Sequence, residues 1–272
     1  MPLRNKLMHT DVNKLFESLW NDYVEMTPSA AKVHQLLSKG ETIINDHIAL
    51  RTFNIEKVNL TVLAAHFGGL GYVDCGDYNF EAKNLKAKHF EHPDPTQPKV
   101  FISELMVEAF SPQLQDIIKG LVEQVDIEAT TADNFLYSGR HWDLDFTTYE
   151  ALIAESEYAA WVAAFGYRAN HFTVSINHLP GYSTILDVNE TLKKGDFVLN
   201  SAGGEVKGSA EVLLEQSSIM ADKIEVSFKD VQKSIPSCFY EFALRYPKAD
   251  GELYTGFVAA SADKIFESTN AS

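Results

Sequence analysis

The chain has 272 residues, 45% of them hydrophobic and 11% aromatic, which is enough to bury a large core in one large domain or two small ones and too apolar for disorder to dominate. Its 23 basic and 38 acidic residues give a formal net charge of -15, a field that repels phosphate backbones and anionic membrane surfaces, so neither nucleic acid nor a membrane is an expected partner. An anionic substrate would need local arginines pointing into its site.

Cys75 and Cys238 are too few for a disulfide framework and too far apart in sequence for a thiolate metal site, so a reducing cytoplasm fits best. The start, Met-Pro-Leu-Arg-Asn-Lys, is basic but lacks the apolar run and cleavage site of a secretion signal. No stretch approaches the roughly 18 apolar residues of a membrane span.

Asp11 can cap a helix whose apolar positions include Leu15, Leu19 and Tyr23, and a second helix follows from Pro28 with Val33, Leu36 and Leu37 inward. These read as an N-terminal helical cap over 1–41. A first module, 42–125, runs strand (43–53), helix (about 56–67), a Gly68-Gly69 stop, then strands ending in Lys99-Val-Phe-Ile-Ser-Glu-Leu, with a further helix near 112–122. A helical connection over 126–168 contains an alanine-rich helix from Tyr149 to Phe165. The second module and C-terminal segment, 169–272, repeat the order: strand (171–176), helix (about 184–194), strands ending in Ser237-Cys-Phe-Tyr-Glu-Phe-Ala. The expected architecture is α+β, one catalytic domain of paired β-α-β-β-β modules around a cupped central sheet, as in the vicinal oxygen chelate fold.

Asp46-His47-Ile48 parallels Asn170-His171-Phe172, and Val100-Phe-Ile-Ser-Glu104 parallels Cys238-Phe-Tyr-Glu241. His47, His171 and Glu241 therefore sit at the centres of apolar strands in matching modules. Two histidines and one carboxylate form the facial triad of non-haem Fe(II) oxygenases, which leaves positions open for substrate and oxygen. A lone strand histidine is more often a core or surface residue, but Glu241, between Phe239, Tyr240, Phe242 and Ala243, needs a metal or a cation such as Arg245 to be buried. Glu104 falls opposite Glu241 in this alignment and is read as a salt-bridged support, or alternatively as a fourth ligand.

Side chains alternate along a strand, so His47 shares a face with Arg51, and Glu241 with Arg245. Four residues span about 13 Å, room for a small organic acid between metal and arginine. Tyr78, Lys83 and Lys86 are further pocket candidates. The remaining histidines, His9, His34, His66, His89, His92, His141 and His178, read as mostly solvent-facing, with His89 and His92 beside a loop reaching Pro98. There is no glycine spacing for a phosphate loop and no Gly-x-Ser-x-Gly elbow of a serine hydrolase.

Asp46-His-Ile-Ala-Leu-Arg-Thr-Phe, Tyr78-Asn-Phe-Glu-Ala-Lys-Asn-Leu-Lys-Ala, Val100-Phe-Ile-Ser-Glu-Leu, Glu155-Ser-Glu-Tyr-Ala-Ala-Trp, Asn170-His-Phe-Thr-Val-Ser and Tyr240-Glu-Phe together resemble the 2-oxoadipate dioxygenase/decarboxylase family, also called 2-hydroxyglutarate synthase. The resemblance implies Fe(II) on His47, His171 and Glu241, substrate on Arg51, and oxidative decarboxylation of 2-oxoadipate to 2-hydroxyglutarate and carbon dioxide in lysine breakdown. The 2-oxo acid and dioxygen would be the small-molecule partners, without a separate 2-oxoglutarate cosubstrate. Family members carry additional C-terminal sequence at the pocket, whereas 31 residues follow Glu241 here. Competing readings are a glyoxalase-like isomerase or lyase using Zn, Ni or Mn, and a non-catalytic binding module of the same fold.

Overall fold

A computed structural model describes residues 8–269; residues 1–7, on which the reading of a secretion signal partly falls, and 270–272 lie outside the described residues. The Asp11 side chain accepts from the backbone N–H groups of Asn13 and Lys14 and starts α1 (Val12–Met26). Pro28 starts α2 (Pro28–Ser38) where a missing N–H costs nothing. Leu15, Leu19, Tyr23, Val33 and Leu37 are buried, while Leu36 is half-buried. Tyr23 donates to the Phe239 carbonyl at 2.6 Å and Trp20 packs edge-on against Phe172, so the two helices are tied onto the central strands.

β1 (Asn45–Phe53), α3 (Leu60–Gly68), β2 (Val73–Phe80), β3 (Leu85–Glu91) and β4 (Lys99–Leu105) form the first β-α-β-β-β unit. α4 (Pro112–Glu123) follows. The helix expected over 149–165 is two helices, α5 (Phe146–Ile153) and α6 (Glu157–Phe165), because the Ser156 side chain accepts from the Ala159 N–H and caps a new start. The second unit comprises β5 (Ala169–Ser175), α7 (Ile185–Lys194), β6 (Lys207–Ser209), β7 (Leu214–Ser218), an inserted hairpin of β8 (Lys223–Ser227) and β9 (Gln232–Pro236), and β10 (Phe239–Arg245). A last helix, α8 (Ala259–Ile265), closes the described chain with a short turn over 266–269.

Eight strands form one sheet in the order β2-β3-β4-β1-β5-β10-β7-β6. The first unit reads outward from the centre as first, last, third and second strand, and the second unit does the same on the other side. The halves meet where β1 and β5 run antiparallel, and each of those strands is flanked by a parallel partner, β4 or β10. The cupped sheet with helices is thus the α+β architecture expected.

The register corrects one equivalence drawn from the sequence. His47 lies opposite Lys99, and His171 opposite Phe239. Glu241, two residues past Phe239, therefore corresponds to Phe101, two past Lys99, and not to Glu104. An offset of three is odd and reverses the face. Glu104 points away from the triad and its Oε2 accepts the Leu60 N–H of α3 at 2.9 Å.

Two histidines read as solvent-facing are buried, His66 and His89, each 2% exposed. His89 belongs to β3, so the connection toward Pro98 starts later than expected. Among the described residues no helix is long and apolar enough to cross a membrane.

Candidate metal centre

β1, β5 and β10 lie beside one another, and their shared face brings together one nitrogen of His47, one nitrogen of His171 and one oxygen of Glu241, all within 4.8 Å. All three residues are buried. His171 Nε2 is 3.0 Å from Glu241 Oε2, and His47 Nε2 is 3.8 Å from Glu241 Oε1.

The residue before each histidine sets its tautomer. His47 Nδ1 is 2.8 Å from Asp46 Oδ1, and His171 Nδ1 is 3.0 Å from Asn170 Oδ1. Both oxygens accept, so each Nδ1 carries the proton and each Nε2 turns a lone pair toward the centre. The Thr173 hydroxyl can donate to His47 Nε2 at 3.1 Å. Gln216 Nε2 donates to Glu241 Oε1 at 2.6 Å, whereas Glu241 Oε2 is buried with no hydrogen-bond partner. His171 Nε2 and Glu241 Oε2 are then two buried acceptors 3.0 Å apart, an arrangement that is costly unless a cation lies between them. A divalent metal meets that need.

Burial by itself would raise the Glu241 carboxyl, but His47 and His171 in their charged form and the Gln216 amide outweigh it and hold the group below its ordinary value, a pull that a bound cation would supply when the imidazoles are neutral. Burial lowers His171 against the opposing pull of Glu241, which favours the neutral, metal-binding imidazole.

Arg51 shares the face of His47, as strand parity requires, and lines the same small cavity. Its guanidinium is caged by the rings of Tyr158, Trp161 and Phe266 at 5.1, 5.1 and 5.4 Å, with a buried Nε that makes no hydrogen bond. Among the described residues it forms no salt bridge. Burial brings its pKa down to about 10, so it stays cationic at neutral pH. The Glu157 carboxylate acts on it from a distance, and an inward-facing cation that forms no salt bridge among the described residues can receive an anionic group.

The other sequence candidates fall elsewhere. Arg245 does not partner Glu241; it pairs with Asp46, through Nε to Oδ2 at 2.7 Å and Nη2 to Oδ1 at 2.9 Å. Tyr78 is hydrogen-bonded to His89 Nδ1 at 2.9 Å and receives the Phe257 N–H at 3.1 Å, behind the cavity wall. Lys83 stands 3.9 Å from Asp263 in an outer cleft that meets the inner cavity at Arg51 and Phe266. Lys86 is exposed on β3 and lines neither space. Phe101, at the position of a fourth ligand, presents an aromatic ring to the cavity.

Gln216, Phe257 and Phe266 reach the site without a signal in the sequence. Asp46 and Asn170 had one, the repeated pairing of an Asx residue with histidine. Phe257, Ala262, Ile265 and Phe266 of the C-terminal segment form a roof over the cavity.

The family model described as 2-oxoadipate dioxygenase/decarboxylase matches residues 8–247. A chloroplastic 2-oxoadipate dioxygenase/decarboxylase of Arabidopsis thaliana is 34% identical over 281 residues, covering 91% of this chain and 74% of its own. The hydroxyglutarate synthase of Oryza sativa, solved in complex with 2-oxoadipate, superposes with a TM-score of 0.88 at 32% identity, over 100% of this chain and 97% of that one. A protein of Shewanella frigidimarina NCIMB 400, provisionally called a hydrolase, is 74% identical with a TM-score of 0.91, over 93% of this chain and 100% of that one. This chain belongs to the 2-oxoadipate dioxygenase/decarboxylase family.

Proposed function

We propose that the chain binds Fe(II) through His47, His171 and Glu241 and converts 2-oxoadipate and dioxygen into 2-hydroxyglutarate and carbon dioxide, a step of lysine breakdown in a reducing cytoplasm. The observation that carries this reading is the pair of buried, unshared acceptors His171 Nε2 and Glu241 Oε2, with a caged arginine four residues beyond His47 on the same strand face. The rice relative solved with 2-oxoadipate supports the choice of substrate.

The bound iron would anchor the 2-oxo carboxylate end and activate dioxygen against it. The chain supplies the rest. Asp46 and Asn170 keep protons on Nδ1 of the histidines, and Gln216 fixes the Glu241 carboxylate. Arg51 takes the distal carboxylate, which sets the reach from the metal end of the diacid to the carbon that is hydroxylated. Phe101, Phe257 and Phe266 exclude water from the reacting end. One carboxyl carbon leaves as carbon dioxide, and both oxygen atoms of the gas enter the five-carbon product, so the atoms balance without a second cosubstrate.

Zn, Ni or Mn in a glyoxalase-like reaction would call for a fourth protein ligand, and Phe101 at that position disfavours it. Anaerobically iron-loaded protein should consume oxygen and release carbon dioxide and 2-hydroxyglutarate in equal amounts on addition of 2-oxoadipate, and Glu241→Ala should abolish all three. Turnover without oxygen would replace this reading with the isomerase.

A further inference from the structure

We propose that Asp46 and Arg245 are positioning residues that couple the His47 ring to the root of the covering segment 254–269, so that metal binding and seating of the cover reinforce each other. The inference rests on the metal reading of the triad.

The contacts close a loop. Asp46 Oδ1 serves His47 Nδ1 at 2.8 Å and Arg245 Nη2 at 2.9 Å, while Asp46 Oδ2 takes Arg245 Nε at 2.7 Å. The other terminal nitrogen of Arg245, Nη1, donates to the carbonyls of Tyr254 at 3.1 Å and Gly256 at 2.7 Å. The next residue, Phe257, lies 5.1 Å from the guanidinium and stands perpendicular to the His47 ring at a centroid distance of 4.8 Å. The path thus leaves His47 by its ring nitrogen and returns to it through the roof of the cavity.

Asp46 and Arg245 are 8% and 4% exposed, so the pair is dry and its fork geometry is rigid. Removing one partner would leave the other as an uncompensated buried charge, and the segment would lose its link to His47. The second histidine has no such device. Asn170 also holds an Nδ1, but it is neutral, and its Nδ2 is buried without a partner. The coupling is confined to one of two otherwise matching ligands, which a purely structural ion pair does not require.

A second set of bonds holds the same root without touching the triad. The Phe257 N–H donates to Tyr78, whose hydroxyl proton then goes to His89 Nδ1, and His89 Nε2 is 3.0 Å from Glu91. With that anchor in place, loss of the Asp46 link should uncouple the cover from the metal rather than unfold it.

The test is hydrogen exchange of the segment 254–266, with and without Co(II) alone, in wild type, Asp46→Asn and Arg245→Lys, alongside Co(II) titration followed by its visible absorption. In wild type, saturating Co(II) should slow exchange of the segment about tenfold or more, by the reciprocity of linked equilibria. In Asp46→Asn the Co(II) dissociation constant should rise roughly 10–100-fold, and saturation should slow exchange less than about twofold. Arg245→Lys, which keeps the charge but loses the fork, should show the same loss of protection with a smaller loss of affinity, and it carries the test if Asp46→Asn does not fold. Full protection in a saturated variant would overturn the coupling, as would Co(II) binding to wild type with no change in exchange. Absence of Co(II) binding in wild type would instead remove the metal reading beneath it.

Discussion

Arg51 carries the argument for a dicarboxylic substrate, because a buried guanidinium packed against three aromatic rings is stabilised further when an anion reaches it. Arg51→Met should raise the Michaelis constant for 2-oxoadipate by about 30–100-fold, the worth of charge-assisted hydrogen bonds, and leave that for 2-oxohexanoate nearly unchanged. Equal effects on diacid and monoacid kinetics would refute the clamp. Asp46 allows a prediction about stability. Burial pushes its carboxyl upward, but Arg245 and His47 outweigh this and hold it well below its ordinary value. A depressed folded-state pKa contributes stability in full above the unfolded value of about 4, and that contribution fades as pH falls below it. The urea midpoint of wild type should therefore drop on acidification from about pH 5 to 3 more steeply than that of Asp46→Asn. The face shared by His47 and Arg51 was legible because strand parity is a local rule. The role of Glu104 was not, since it depended on aligning two weakly similar strands, and a three-residue slip between them reverses a side chain.

The elements that carry the triad are the central strands of the sheet, and their continuous burial made them visible as apolar runs. The two N-terminal helices were legible from Asp11 and Pro28 at their starts. The split near Ser156 went unseen because alanine-rich sequence continues on both sides of the cap. The roof over the site was also hidden. Residues 257–269 form short helical turns whose apolar side chains carry no period long enough to place them, and only the tertiary structure brings Phe257 to His47. Phe257→Ala should open the cavity to water. It should cost about 3–5 kcal/mol of stability in denaturant titrations and raise oxygen consumed per 2-hydroxyglutarate formed above one. A ratio that stays at one would show that the ring does not shield the reacting end.

At the scale of the molecule, the mirrored strand order places the two histidines on either side of the seam between modules, so a bound cation bridges both halves. A ligand that binds only the folded state stabilises it by about 2.7 kcal/mol at a hundredfold excess over its dissociation constant. For a chain of this size that corresponds to a rise in melting temperature of roughly 5–10 °C with Fe(II) or Co(II), which His171→Ala should abolish. The repeat that creates the seam was legible from element order and from the two Asx-His pairs, while the β8–β9 insertion obscured its second half. The central claim, that this fold oxidises and decarboxylates a 2-oxo diacid with molecular oxygen, is tested most directly by isotope. Iron-loaded protein given 2-oxoadipate under isotopically heavy oxygen gas should yield 2-hydroxyglutarate carrying both heavy atoms, one in the new carboxylate and one in the hydroxyl. Product formed without heavy oxygen would contradict the account.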